Sequence, residues 1–135
     1  MKMDYAARAQ ALAGTRFRPQ GRKPELGLDC IGLILCAYRL PEEQVRRDYR
    51  IRGDHRREIL DELGKPFRRI ARTRARTGDV LLLQVARDQM HLAVLTDNGF
   101  VHADARLGKV VETPGSPPWP VLGAFRRRVR NQGKD

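Results

Sequence analysis

The chain has 135 residues, room for one domain able to bury a core without disulfide staples. Its 41% hydrophobic and 32% charged residues are a globular balance and exclude extended disorder. Lysine and arginine number 27 against 16 aspartates and glutamates, a net charge of +11 that attracts polyanions and anionic surfaces but does not bear on fold.

Asp4 and Arg8 interrupt the N-terminus, so the continuous apolar run of a secretory leader is missing and no signal peptide is expected. The alanine-rich stretch from Met3 to Ala13, closed by Gly14, predicts a helix. Residues 15–28 hold two prolines, Gly21 and Gly27, and read as a loop. Asp29 then heads CIGLILCAYRL, which ends at Pro41 and is well short of the ~20 residues of a membrane span. A buried helix is predicted, with Asp29 as N-cap and Cys30 in the first turn. Cys30 and Cys36 would lie about 9 Å apart along its axis, beyond disulfide reach, so both are expected as free thiols.

Residues 41–77 are strongly basic, with one predicted helix capped by Asp54, striped by Ile59, Leu60 and Leu63, and ended by Gly64 and Pro66. His55 in that cap reads as solvated, and the pairs Arg46-Arg47, Arg56-Arg57 and Arg68-Arg69 as solvated faces. Strand patterns follow at 79–86 and 91–96, joined by the turn Asp97-Asn98-Gly99 to 100–105, then 109–113. A proline-rich stretch at 114–120 precedes a last strand from Val121 to Arg126. Helices first and strands afterwards predict an α+β domain, its N-terminal helices packed on an antiparallel sheet of about five strands. One domain covers residues 1–135, with a core at about 5–126 and a basic tail at 127–135.

A cysteine in the first turn of a helix meets unpaired N–H groups and the positive end of the helix dipole, which favour its thiolate. Cys30 is therefore the candidate nucleophile, and Cys36 reads as a core residue. A nucleophilic thiolate needs an imidazole as proton carrier. His91, heading an apolar strand, is the better candidate, and His102 on the returning strand could orient it. A turn on Asn98-Gly99 would set His102 opposite residue 95, ~13 Å along the strand from His91; a turn centred on Asp97-Asn98 sets it opposite residue 93, ~7 Å away. Both registers keep the histidines on one face, and the first makes Asp104 the alternative third member. No CxxC or HxxxH spacing is present, so neither metal nor cofactor is expected. One Trp, three Tyr and four Phe do not form a stacking platform, so no specific nucleic-acid partner is expected.

GTRFRPQGRKPELGLDCIGL, the strand start Thr77-Gly78-Asp79, and HLAVLTDNGFVHA together resemble the NlpC/P60 family of cysteine peptidases, in the short form found in phage tail modules and gene-transfer particles. The resemblance spans about residues 5–126 and implies a papain-like fold in circularly permuted order. It implies hydrolysis of peptidoglycan stem peptides, commonly at the γ-D-glutamyl–diamino acid bond, with Cys30 as nucleophile, His91 as general base and acid, and His102 as third member. It places Asp29, Phe17 and Ile31 at substrate-binding positions, the last two standing where the family often has Tyr and Ser. The implied setting is the tail tip of a phage-like particle made in a bacterial cytoplasm, with tail hub or tip proteins as partners. The competing expectation is a structural tail plug that keeps the fold with little or no activity.

Overall fold

The computed structural model describes residues 4–41, 56–87 and 89–128. The readings at Arg46-Arg47, Asp54 and His55, and all of the basic tail beyond Arg128, lie outside these residues.

Asp4 starts the first helix, α1 (Tyr5–Ala11), by accepting a hydrogen bond from the Ala7 N–H at 2.9 Å. Its small buried residues Ala6 and Ala9 allow close packing on the second helix, α2 (Cys30–Ala37). Between them the predicted loop contains a two-stranded ribbon, β1 (Arg22–Lys23) with β2 (Gly27–Leu28). Helix α2 is shorter than its apolar run. Arg39 adopts a left-handed φ of 56°, and the Leu40 N–H returns to the Leu35 carbonyl at 2.9 Å, so the helix closes in its own terminal turn before Pro41. The Arg8 guanidinium caps the same end, donating to the carbonyls of Cys36 and Ala37 at 2.9 Å each. Tyr38 just beyond is 2% exposed, meets Tyr5 in a tilted contact and Phe67 edge to face, and donates its hydroxyl to the Gly78 carbonyl at 2.6 Å.

Helix α3 (Arg56–Leu63) buries Ile59 and Leu63 as its stripe predicts. A strand absent from the sequence reading follows, β3 (Phe67–Ile70). Its two central arginines hide the period-2 signal, and it joins the sheet as an edge strand that buries Phe67. After a short 3-10 turn at Arg72–Arg74 come β4 (Val80–Ala86), β5 (Gln89–Leu95), β6 (Gly99–Asp104), β7 (Lys109–Pro114) and β8 (Val121–Arg127). The sheet thus has six strands rather than about five, ordered β3-β8-β4-β5-β6-β7 with every neighbouring pair antiparallel.

Alternation divides the apolar residues between two faces. Val80, Leu82, Leu92, Val94, Val101 and Phe125 pack with Leu33 and Ile34 of α2. Leu81, Leu83, Ala93, Phe100 and Ala124 form a second cluster on the other face, flanked by Trp119 and Val121. Each fully buried Val, Leu or Phe here contributes about 2 kcal/mol. Asp79, 2% exposed, anchors the start of β4: the Arg126 guanidinium meets its two oxygens at 3.0 and 2.9 Å, and the Arg76 N–H donates to it at 2.9 Å. No helix among the described residues is long and apolar enough to cross a membrane.

Candidate functional site

Helix α2 brings Cys30 to the sheet. Asp29 caps it, its Oδ1 accepting from the Gly32 N–H at 2.8 Å, which leaves Cys30 in the first turn. Glycine is required at position 32: a side chain there would run into the Gly21 carbonyl, against which the loop packs. The Asp29 carboxylate also accepts from Arg22 Nη1 at 2.9 Å and from the Gln20 N–H at 3.0 Å. The Arg22 side chain is only 5% exposed, a buried cation beside the helix end that holds the candidate nucleophile, and sequence reasoning overlooked it. Its one signal is position, a cation between Gly21 and Asp29 in an otherwise flexible loop.

Cys30 is 4% exposed and packs in the cluster that α2 shares with the sheet. Its thiol is pushed up to about 12, chiefly by burial and then by the Asp29 charge. Hydrogen bonding from the Leu92 backbone, the Arg22 cation and the Cys30 backbone itself act the other way. Burial therefore outweighs the helix-terminus effect that predicts a favoured thiolate. Helix α2 packs on β5 and β6, and the hydrogen bond between His91 and His102 joins the histidines to each other, with none to Cys30 among the described residues.

His91 is the third residue of β5 rather than its first, because Gln89 and Met90 already pair with β4. It faces the second cluster together with His102, and His91 Nε2 lies 2.8 Å from His102 Nδ1. The register that achieves this is the shorter of the two considered, with Val94 opposite Val101 and Leu95 opposite Phe100. The turn is therefore centred on Asp97-Asn98, and the Thr96 hydroxyl oxygen receives the N–H groups of Asn98 and Gly99 at 3.3 and 3.0 Å. Beyond Val94 the β5–β6 ladder ends and the two strands part around the imidazoles.

Trp119 closes the other side, 6.2 Å from the His91 ring and 5.8 Å from the His102 ring, with Phe100 5.0 Å from His102. Such surroundings disfavour charge. Burial, and then His102, push His91 down to about 4; burial also lowers His102, while Asp104 opposes both shifts. Asp104 accepts from the N–H groups of Arg106 and Leu107 at 2.9 and 3.1 Å, and acts on the histidines only through its charge. The outer nitrogen of His102, Nε2, lies 3.4 Å from the Thr113 hydroxyl. Trp119 and Thr113 were not read as site residues. Trp119 stands out only as the single tryptophan within a proline-rich stretch, and Thr113 becomes visible only with the strand register.

Of the remaining candidates, Ile31 is 4% exposed within the main core, and Phe17 is partly buried against that core with its N–H bonded to the Gly108 carbonyl at 2.8 Å. Among the described residues no group of three or more His, Cys, Asp or Glu is arranged to hold a metal ion.

The His91 shift predicts a dependence of stability on pH. Above its ordinary value of 6.5 the ring is neutral both folded and unfolded, so its contribution is fully present. As pH falls from 6.5 towards 4 the unfolded chain takes up a proton that the folded chain refuses, and stability is lost across that window. The loss is about 2 kcal/mol, allowing for the partial exposure of the ring. Urea unfolding at several pH values, compared with His91→Asn, measures it: the variant loses less over the same range.

A sequence model of the NlpC/P60 family matches residues 14–120. The murein DD-endopeptidase MepS/murein LD-carboxypeptidase of Escherichia coli strain K12 is 28% identical over 117 residues, 86% of this chain and 56% of that protein. The chain thus spans about half the length of the curated relatives it matches. Among solved structures, the NlpC/p60 domain of the peptidoglycan hydrolase SagA aligns with a TM-score of 0.58 at 19% identity, covering 82% of this chain and 86% of that one. The peptidoglycan hydrolase RipB from Mycobacterium tuberculosis aligns with a TM-score of 0.61 at 18% identity, covering 95% and 64%.

Proposed function

The chain belongs to the NlpC/P60 family, and from that premise we propose that it is a cysteine endopeptidase that hydrolyses peptidoglycan stem peptides at the γ-D-glutamyl–diamino acid bond. One observation carries the reading: a histidine pair joined at 2.8 Å sits on β5 and β6, the two strands against which α2 packs with Cys30 in its first turn.

In this mechanism neither a thiolate nor an imidazolium is stable alone at such depth, so the two charges arise together. The Cys30 S–H gives its proton to His91 Nδ1 as the sulfur attacks the peptide carbonyl carbon. The developing oxyanion takes the Cys30 N–H at the start of α2. His91 then returns the proton to the leaving amine, the C–N bond breaks, and a thioester to Cys30 remains. Water, giving a proton to His91, attacks the thioester; the free acid leaves and the Cys30 thiol is restored. His102 holds the His91 ring through Nε2 and stabilises its transient charge. Three of about four acceptor directions of Asp29 are already filled, leaving one on Oδ2 for a substrate ammonium. Phe17 and Ile31 would shape the pocket around it by packing rather than by hydrogen bonding.

The setting proposed with this activity is the tail tip of a phage-like particle, supported by the resemblance to the tail-module branch and by the +11 charge, which suits acidic tail partners. A second reading, a structural plug without turnover, is favoured by the 4% exposure of Cys30 and its raised thiol. Digestion of purified sacculi separates the two. Wild type is expected to release peptides with a new amine on the diamino acid, identified by mass, and Cys30→Ala none. Equal release by both proteins, or none by either, removes the peptidase reading; cleavage at the cross-link instead corrects the bond.

A further inference from the structure

Three groups lie in a row on one face of the sheet: His91 Nε2 is 2.8 Å from His102 Nδ1, and His102 Nε2 is 3.4 Å from the Thr113 hydroxyl. Thr113 reaches this place because His102 pairs with Val111 and Phe100 with Thr113 across β6 and β7, making Thr113 the diagonal neighbour of His102 on the same face.

Protons along this row can run in only two directions, since each neutral imidazole carries one N–H and one lone pair. If Thr113 donates to His102 Nε2, His102 must carry its proton on Nδ1 and donate to His91 Nε2. His91 then bears its own proton on Nδ1, with no lone pair there to act as a base. If Thr113 accepts instead, His102 carries its proton on Nε2, its Nδ1 lone pair receives the His91 Nε2–H, and His91 Nδ1 is left free as the base. Asp104 cannot set the direction by contact, because its hydrogen bonds go to the N–H groups of Arg106 and Leu107.

We infer that Thr113 is a positioning residue: its hydroxyl oxygen accepts the His102 Nε2–H and thereby selects the His91 tautomer with a free Nδ1. The inference rests on the proposed peptidase mechanism for its purpose, but the tautomer itself is observable without turnover. The side chain acts through His102.

The test uses the full chain with nitrogen-15-labelled histidine, as wild type, Thr113→Val and Thr113→Ser. Valine keeps the shape and removes the acceptor; serine restores the acceptor. Wild type is expected to show protonated nitrogens at His102 Nε2 and His91 Nε2, with Nδ1 unprotonated on both rings. Thr113→Val should move proton density on both rings to Nδ1 and lower kcat about tenfold with KM within about twofold, as loss of one hydrogen bond implies. Thr113→Ser should recover the wild-type spectrum and most of kcat. An unchanged tautomer pattern in Thr113→Val, or a Thr113→Ser spectrum no closer to wild type than that of Thr113→Val, overturns the inference. If wild type hydrolyses no peptidoglycan, the peptidase reading fails while the spectra still decide the role of Thr113.

Discussion

Replacement of His91 by alanine is expected to slow peptidoglycan hydrolysis by about 1,000- to 10,000-fold, measured as kcat/KM on a soluble stem peptide. The size follows from the burial of the sulfur. Burial holds the Cys30 thiol far above its ordinary value, so little free thiolate is present at pH 7. Attack in the proposed mechanism therefore depends on a base that takes the proton during the step, the role proposed for His91 Nδ1. His102→Ala is expected to cost less, about 100-fold, because the base remains and only its orientation and the stabilisation of its charge are lost. His91 lies outside the main helix–sheet core and faces the smaller cluster by Trp119, so the variant should keep its circular dichroism spectrum.

The largest expected loss of stability lies at the other end of the sheet. Arg126→Met is predicted to cost about 3 kcal/mol and to lower Tm by roughly 10 °C. Asp79 is 2% exposed, and both of its oxygens meet the Arg126 guanidinium, leaving the Arg76 N–H as its other donor. Without Arg126 a carboxylate stays buried with one hydrogen bond, a cost far above that of an exposed ion pair. Asp79→Asn combined with Arg126→Met removes the stranded charge and should recover much of the loss. Thermal unfolding of the three proteins measures the coupling; an Arg126→Met protein as stable as wild type would mean that water reaches Asp79 freely.

Local chemistry made much of this legible in advance. An Asp ahead of an apolar run announces an N-cap, and the structure has Asp29 bonded to the Gly32 N–H with Cys30 in the first turn. The strands of the second half follow from alternation, and the common face of the two histidines holds in either register. The choice between registers was not legible, because it depends on Thr96, whose hydroxyl gathers two turn N–H groups and also donates to Glu112 across the sheet at 2.7 Å. Strand β3 escaped because its arginines face solvent on an edge, where packing on β8 rather than intrinsic pattern decides. The early close of α2 depends on a left-handed residue, Arg39, and on carbonyls capped by the distant Arg8. The direction of the thiol shift is not legible for the same reason: the helix terminus is visible in the sequence, whereas the depth of burial that raises the thiol is set by the whole fold.

Reaction with a γ-D-glutamyl peptide electrophile at pH 7, followed by intact mass and peptide mapping, asks most directly whether sulfur and imidazole work as one unit. A single adduct on Cys30 is predicted, forming at least about 100-fold more slowly in His91→Ala. Modification of Cys36 in its place, or equal rates in the two proteins, would contradict the pairing of Cys30 with His91.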